Sequence, residues 1–254
     1  MTSILLGALV FVILVAATTC GIIVRDRLPA HHLSLESKEV IRLATAVVGT
    51  LSALALSLLI ASAKATFDNA HSEMETTAGH VLLLDRLLAH YGPETDADRK
   101  KLRELVQQRL DRGWSASAQD DDGKESTPAY RDIETVQDDL RRLIPNGQAQ
   151  NLVRARALEV SGMIAEGHWL KIDSGEEGLP WPFFVVMTSW LALLFATFGL
   201  QAPPNRTVLT VILVSALSVA GAVFVISDMA NPYAGVIRVS LEPLQITMER
   251  LGQA

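Results

Sequence analysis

The chain has a single cysteine, Cys20, so no disulfide can form within it. It also has no excess of basic residues: 22 Lys and Arg stand against 28 Asp and Glu, a formal net charge of -6. Phosphate binding needs Lys and Arg clustered on one face, so this balance argues against a nucleic-acid partner. No Gly-rich phosphate loop, no nucleophile elbow and no Cys–His pairing at metal-ligand spacing occurs. Alternation of apolar and polar residues is nowhere sustained, so strands are not expected. Acidic runs such as "DDD" and "EE" fall in turn-like sequence, where solvated charge is the expectation. With these features missing, the sequence offers no catalytic residue, no metal site and no cofactor, and an enzyme is not expected. "AATTCG" around Cys20 faintly suggests a lipoprotein processing site, but no basic segment precedes it and a Thr adjoins the cysteine. The reading adopted for Cys20 is a small apolar side chain in a membrane helix.

What the sequence does have is apolar length. Hydrophobic residues make up 49% of it and the mean hydropathy is +0.27, high for a water-soluble protein. Four stretches carry almost no charge. The first, 4–24, is long enough to cross a hydrocarbon layer that requires about 20 residues. The second, 43–63, is bracketed by Arg42 and Lys64, whose side chains can reach the two interfaces. The third, 181–200, opens with Trp181 and Pro182, and the fourth, 208–226, follows the turn "QAPPNR". The predicted fold is therefore all-α: a polytopic membrane protein with four transmembrane helices and a helical soluble insert between spans two and three.

The predicted organisation is a first hairpin at 1–65, the insert at 66–179, a second hairpin at 180–227, and a polar corner with an amphipathic tail at 228–254. Both ends of the insert emerge on one side. Inside it, Val81, Leu84, Leu87 and Leu88 predict one amphipathic helix, and Leu102, Leu105, Val106 and Leu110 a second. "SASAQDDDGKESTP" reads as an exposed loop. A further helix pair is expected from Ala129 to Ile144 and Gln148 to Leu170, broken at "PNG". The positive charges flanking the spans are nearly balanced between the two sides, so they do not orient the protein.

Six histidines raise the question of a metal. His31 and His32 are adjacent and cannot face the same way on a helix, whereas His71 and Glu75 share a face at i, i+4. One such pair falls short of the three or four ligands a site needs, so a solvated helix face is expected.

Span two carries two patterns. Thr45, Gly49, Ala53, Ser57 and Ala61 recur every four residues and are the candidate helix-packing positions. Val47, Leu51, Leu54 and Leu58 are bulky and wholly apolar, and are the candidate pore-lining positions, since such a face in a ring of subunits can gate by dewetting. A third candidate region is the corner formed by Asp228, Asn231, Pro232, Tyr233 and Gly235. Pro232 stops or bends the fourth span, and Gly235 is expected to allow an unusual backbone angle. The corner reads as a helix terminus with a return turn, as a polar pore entrance, or as a joint to the insert. Val236, Ile237, Leu241 and Leu244 then predict an interfacial or domain-docking tail.

The stretches "RLATAVVGTLSALALSLLIASAKATFD", "LLDRLLAHYGPE", "WLALLFATFGLQAPPN" and "NPYAGVIRVSLEPL" together resemble the bacterial bestrophin-like membrane proteins, in order and separation as well as in wording. Tyr233 stands where that family typically has Phe. The resemblance implies four spans with the insert between spans two and three, in a bacterial inner membrane. It also implies distant kinship with bestrophins, pentameric anion channels whose second helix lines the pore and whose insert is cytoplasmic. From Val47 to Leu58 this chain has no Phe, unlike the bestrophin constriction, and no Ca²⁺ clasp is recognisable. The partners implied are the lipid bilayer, further copies of the chain and an inorganic anion. Two functions follow: a homo-oligomeric anion channel lined by span two, or a membrane-anchored interaction or sensing protein whose insert binds a cytoplasmic partner.

Overall fold

The computed structural model describes residues 2–29, 34–112, 128–173, 181–203, 205–233 and 235–253. His31, His32 and residues 115–127 of the expected loop lie outside them. The described residues are all-α. In chain order the helices are α1 (Thr2–Arg27), α2 (Leu35–Tyr91), α3 (Asp96–Arg112), α4 (Pro128–Arg142), α5 (Gln148–Asp173), α6 (Trp181–Gln201), α7 (Arg206–Met229) and α8 (Glu242–Arg250). Four of them, α1, α2, α6 and α7, are long and apolar enough to cross a membrane. The chain is thus built as a multi-pass protein with a helical insert between its second and third spans.

One boundary differs from the sequence expectation. The first amphipathic segment of the insert is not a separate helix but the continuation of span two, because α2 runs unbroken from Leu35 to Tyr91. Hydropathy falls after Lys64, yet no proline follows until Pro93, and Gly79 is the sole glycine on the way. Polar residues do not end a helix; backbone breakers do. Here the break is Gly92, at φ 139, followed by Pro93 at the start of a short 3₁₀ turn, Pro93–Thr95. Thr95, fully buried, fixes that turn by donating its hydroxyl to the Leu88 carbonyl at 2.6 Å.

Two compact units make up the chain. The first comprises residues 1–67 and 177–237, hence α1, the opening part of α2, α6 and α7. Its core is Val10 and Leu14 of α1, Met187, Leu191, Leu194 and Phe195 of α6, and Ile212, Ala216 and Val223 of α7. Val48, Leu56 and Leu59 of α2 pack against it, half-buried. Small residues bring α1 against α6: a Cβ at Gly199 would sit 2.2 Å from the Thr18 carbonyl oxygen, and one at Gly21 would sit 2.0 Å from the Ala196 carbonyl oxygen. The two backbones therefore touch, the close approach that glycine permits between helices in lipid. At the turn after α6, Arg25 donates to the Ala202 carbonyl, and Asn205 caps α7 by accepting from the Thr207 N–H at 3.1 Å.

The second unit comprises residues 68–176 and 238–254. Met74, Ala78, Val81, Leu84 and Leu88 give the continuing α2 an inward stripe, and Leu102, Val106, Val136, Leu140, Ala157 and Val160 bury the inner faces of α3, α4 and α5. Asp85 of α2, fully buried, receives Arg99 of α3 at 2.8 and 3.3 Å and the Gly252 N–H at 3.3 Å. Both carboxylate oxygens are thereby occupied, which offsets the cost of burying the charge. The tail docks in this unit through buried Leu244 and Leu251 and through the Thr247 hydroxyl, which donates to the Ala78 carbonyl at 3.3 Å.

Candidate functional site

An α-helix advances by about 100° per residue, so spacings of four and three return to nearly the same bearing. Val47, Leu51, Leu54 and Leu58 accordingly share an arc of about 60° on α2. Each of them is between 47% and 69% exposed in the single chain. The face that meets the rest of the first unit is a different one: Ser52 and Ala63 are buried, with Thr45, Val48, Gly49, Ala55, Leu56 and Leu59 half-buried beside them. That packed face is centred about 130° from the bulky stripe. Among the four apolar helices, α2 is the least buried.

The small-residue series is distributed between the two faces. Thr45 and Gly49 are half-buried, and Gly49 lies 3.9 Å, counted from an added Cβ, from Leu194 of α6, whereas Ala53, Ser57 and Ala61 are exposed. A strict repeat of four drifts by about 40° per step, or about 160° from Thr45 to Ala61. One straight helix cannot present all five to a single neighbour in the same chain.

At the end of α7 the helix stops at Met229, with Ala230 as its cap. Asn231 folds back, its side-chain amide donating to the Ser227 carbonyl at 2.8 Å, and Pro232 is buried next to it, so the backbone cannot continue as a helix. The carboxylate of Asp228, itself 1% exposed, accepts the N–H of Val236 at 3.0 Å and that of Ile237 at 2.6 Å. A buried carboxylate thus holds the return of the chain by satisfying two backbone donors. Tyr233 is half-buried in the loop so formed.

Gly235 corrects an expectation about the backbone. The described glycines with positive φ are Gly92 and Gly252, and Gly235 is not among them. Its role is spatial: an added Cβ would fall 2.6, 2.7 and 2.8 Å from Oδ1, Cγ and Oδ2 of Asp228. The carboxylate fills the place a side chain would need.

His71 and Glu75 face each other at 3.5 Å on an exposed part of α2. Two features go beyond what the sequence predicts, the Asp85–Arg99 pair and the glycine contact between α1 and α6. The second carried a signal, since Gly21 and Gly199 lie in apolar runs where small residues mark helix contacts. The first carried none, because it joins residues of different helices by geometry alone.

Compared with known proteins, residues 12–244 match the family model described as the bestrophin-like domain. Among solved structures the chain is similar to a crystal structure of a bacterial bestrophin homolog from Klebsiella pneumoniae, a point mutant. The TM-score is 0.61 at 12% identity, covering 95% of this chain and 98% of the other. Comparison with curated proteins gives no match.

Proposed function

Because this chain belongs to the bestrophin-like family, we propose that it acts as a homo-oligomeric channel for inorganic anions, with α2 of each copy facing the pore. The observation that carries this reading is the stripe of Val47, Leu51, Leu54 and Leu58, which is wholly apolar, exposed and turned away from the chain's own packed face. Around a shared axis such a stripe forms a hydrophobic constriction, which resists ion passage when narrow and dry and conducts when widened or wetted. The constriction is aliphatic, since α2 has no Phe between residues 47 and 58. The kinship of the family with bestrophins supports the anion as the permeant species and a pentamer as the assembly. It also supports placement in a bacterial inner membrane with the helical insert in the cytoplasm. Transport, not catalysis, is the activity proposed.

The test is purification in mild detergent, followed by recording in planar bilayers. An oligomer that passes anions under some combination of voltage, pH and Ca²⁺ supports the channel. A strict monomer, or an intact oligomer silent under all of them, contradicts it and favours an anchored protein whose insert binds a cytoplasmic partner.

A further inference from the structure

The exposed stripe of α2 does not begin at Val47. Steps of four and three residues counted back from it reach Leu43, Val40 and Glu36, and all three are exposed, Val40 and Leu43 at 66% each. From Glu36 to Leu58 the stripe falls within an arc of about 80°. Every member but one is aliphatic. The exception, Glu36, lies in the first turn of α2 and closes the stripe with a carboxylate.

In the part of α2 that belongs to the first unit, residues 35–67, the charged side chains are Glu36, Lys38, Glu39, Arg42 and Lys64. Measured from the centre of the stripe, Glu36 stands about 30° away, Glu39 about 90°, Lys64 about 110°, Arg42 about 150° and Lys38 about 170°. A single charge therefore shares the bearing of the apolar face, and it is negative. Among the described residues no cation pairs with it. An acid in the first turn complements the helix dipole whichever way it faces, which accounts for its place along the helix but not for its bearing.

We propose that Glu36 sets the ion selectivity of the pore by charge. An aliphatic constriction controls whether ions pass but carries no sign by which to choose among them, whereas a ring of carboxylates enriches cations and depletes anions at a mouth. Repeated around a shared axis, Glu36 forms such a ring at the first turn of α2, one carboxylate per copy, and holds down anion entry in favour of cations. Glu36 has this role only if α2 faces the pore, as proposed above, and has it whether the main permeant ion is an anion or a cation.

Reversal potentials in planar bilayers under a potassium chloride gradient give the anion-to-cation permeability ratio for wild type, Glu36→Gln and Glu39→Gln. At about 0.1 M salt, where a charge acts over about 10 Å, Glu36→Gln should raise that ratio by about tenfold or more. Glu39→Gln, an equal change of charge near the same end of the helix but off the stripe, should leave it unchanged. A wild type that prefers cations and admits anions once Glu36 is neutralised also supports the assignment, while contradicting the anion as the main permeant. A conducting wild type whose ratio is unmoved by Glu36→Gln, or moved as far by Glu39→Gln, overturns the assignment and leaves the pore standing. A silent wild-type oligomer overturns both. Should Glu36→Gln fail to assemble, the wild type decides: at about 1 M salt screening shortens the reach of the ring to about 3 Å, so the ratio should rise, and a ratio indifferent to salt overturns the assignment.

Discussion

Replacing Gly235 with alanine should damage the corner through the carboxylate of Asp228, whose atoms are the nearest to an added methyl. The added methyl would lie within 2.6–2.8 Å of three carboxylate atoms, closer than folded proteins tolerate, so the side chain must move. It is not free to move, because it accepts the N–H groups of Val236 and Ile237. A hydrogen bond to a charged group contributes about 1.5–3 kcal/mol, so losing one of the two costs about that much. Thermal unfolding of purified protein, followed by tryptophan fluorescence, gives the change in stability for Gly235→Ala, Asp228→Ala and the double variant. Asp228→Ala should cost about 3–6 kcal/mol, since both bonds go. In that background Gly235→Ala should be neutral, or stabilising by about 0.4–1 kcal/mol, because the obstruction is gone and the backbone angle is an ordinary one. If Gly235→Ala is equally harmful with and without Asp228, the two residues are uncoupled and the spatial account of Gly235 is wrong.

Gly199→Ala should lower the unfolding temperature, because its new methyl meets the Thr18 backbone, which cannot rotate away. The cost is at least the about 1–3 kcal/mol typical of overpacking. Gly221→Ala, with nothing within 4 Å of the added atom, should show no loss in the same melt. Asp85→Ala leaves the mostly buried Arg99 with only the more distant, exposed Asp96 at 3.9 Å and frees the Gly252 N–H. A loss of about 3–5 kcal/mol, read from the same unfolding curves, is expected for breaking a buried pair from one side.

The four spans were legible because apolar length alone decides whether a helix can cross a bilayer, and each run is bounded by charge or by turn residues. The extent of α2 was not. Hydropathy drops near Lys64 and places a boundary there, while the helix obeys backbone propensity and continues to Gly92 and Pro93. On span two, Val47 to Leu58 emerge as one stripe because spacings of four and three alternate, which follows from helix geometry without coordinates. The partners of that helix do not follow from its sequence: Ser52 and Ala63 are its buried positions, and neither belongs to the repeat of four. At the corner, the sequence showed that Pro232 must end a helix. That Asp228 holds the returning chain, and that Gly235 makes room for it, depends on side-chain placement across the turn. Asp85 with Arg99, and Lys101 with Asp139, are likewise pairings between helices that no local pattern announces.

The central claim is that the exposed apolar face of α2 lines a pore, and paired planar-bilayer recordings of wild type and Leu54→Ser test it most directly. If Leu54 faces a shared axis, serine wets the constriction, and the assembled variant should conduct more than wild type under identical voltage, pH and Ca²⁺. If Leu54 faces lipid or another helix, the substitution only removes apolar contact. A well-assembled Leu54→Ser oligomer with conductance no greater than that of the wild type would contradict the claim.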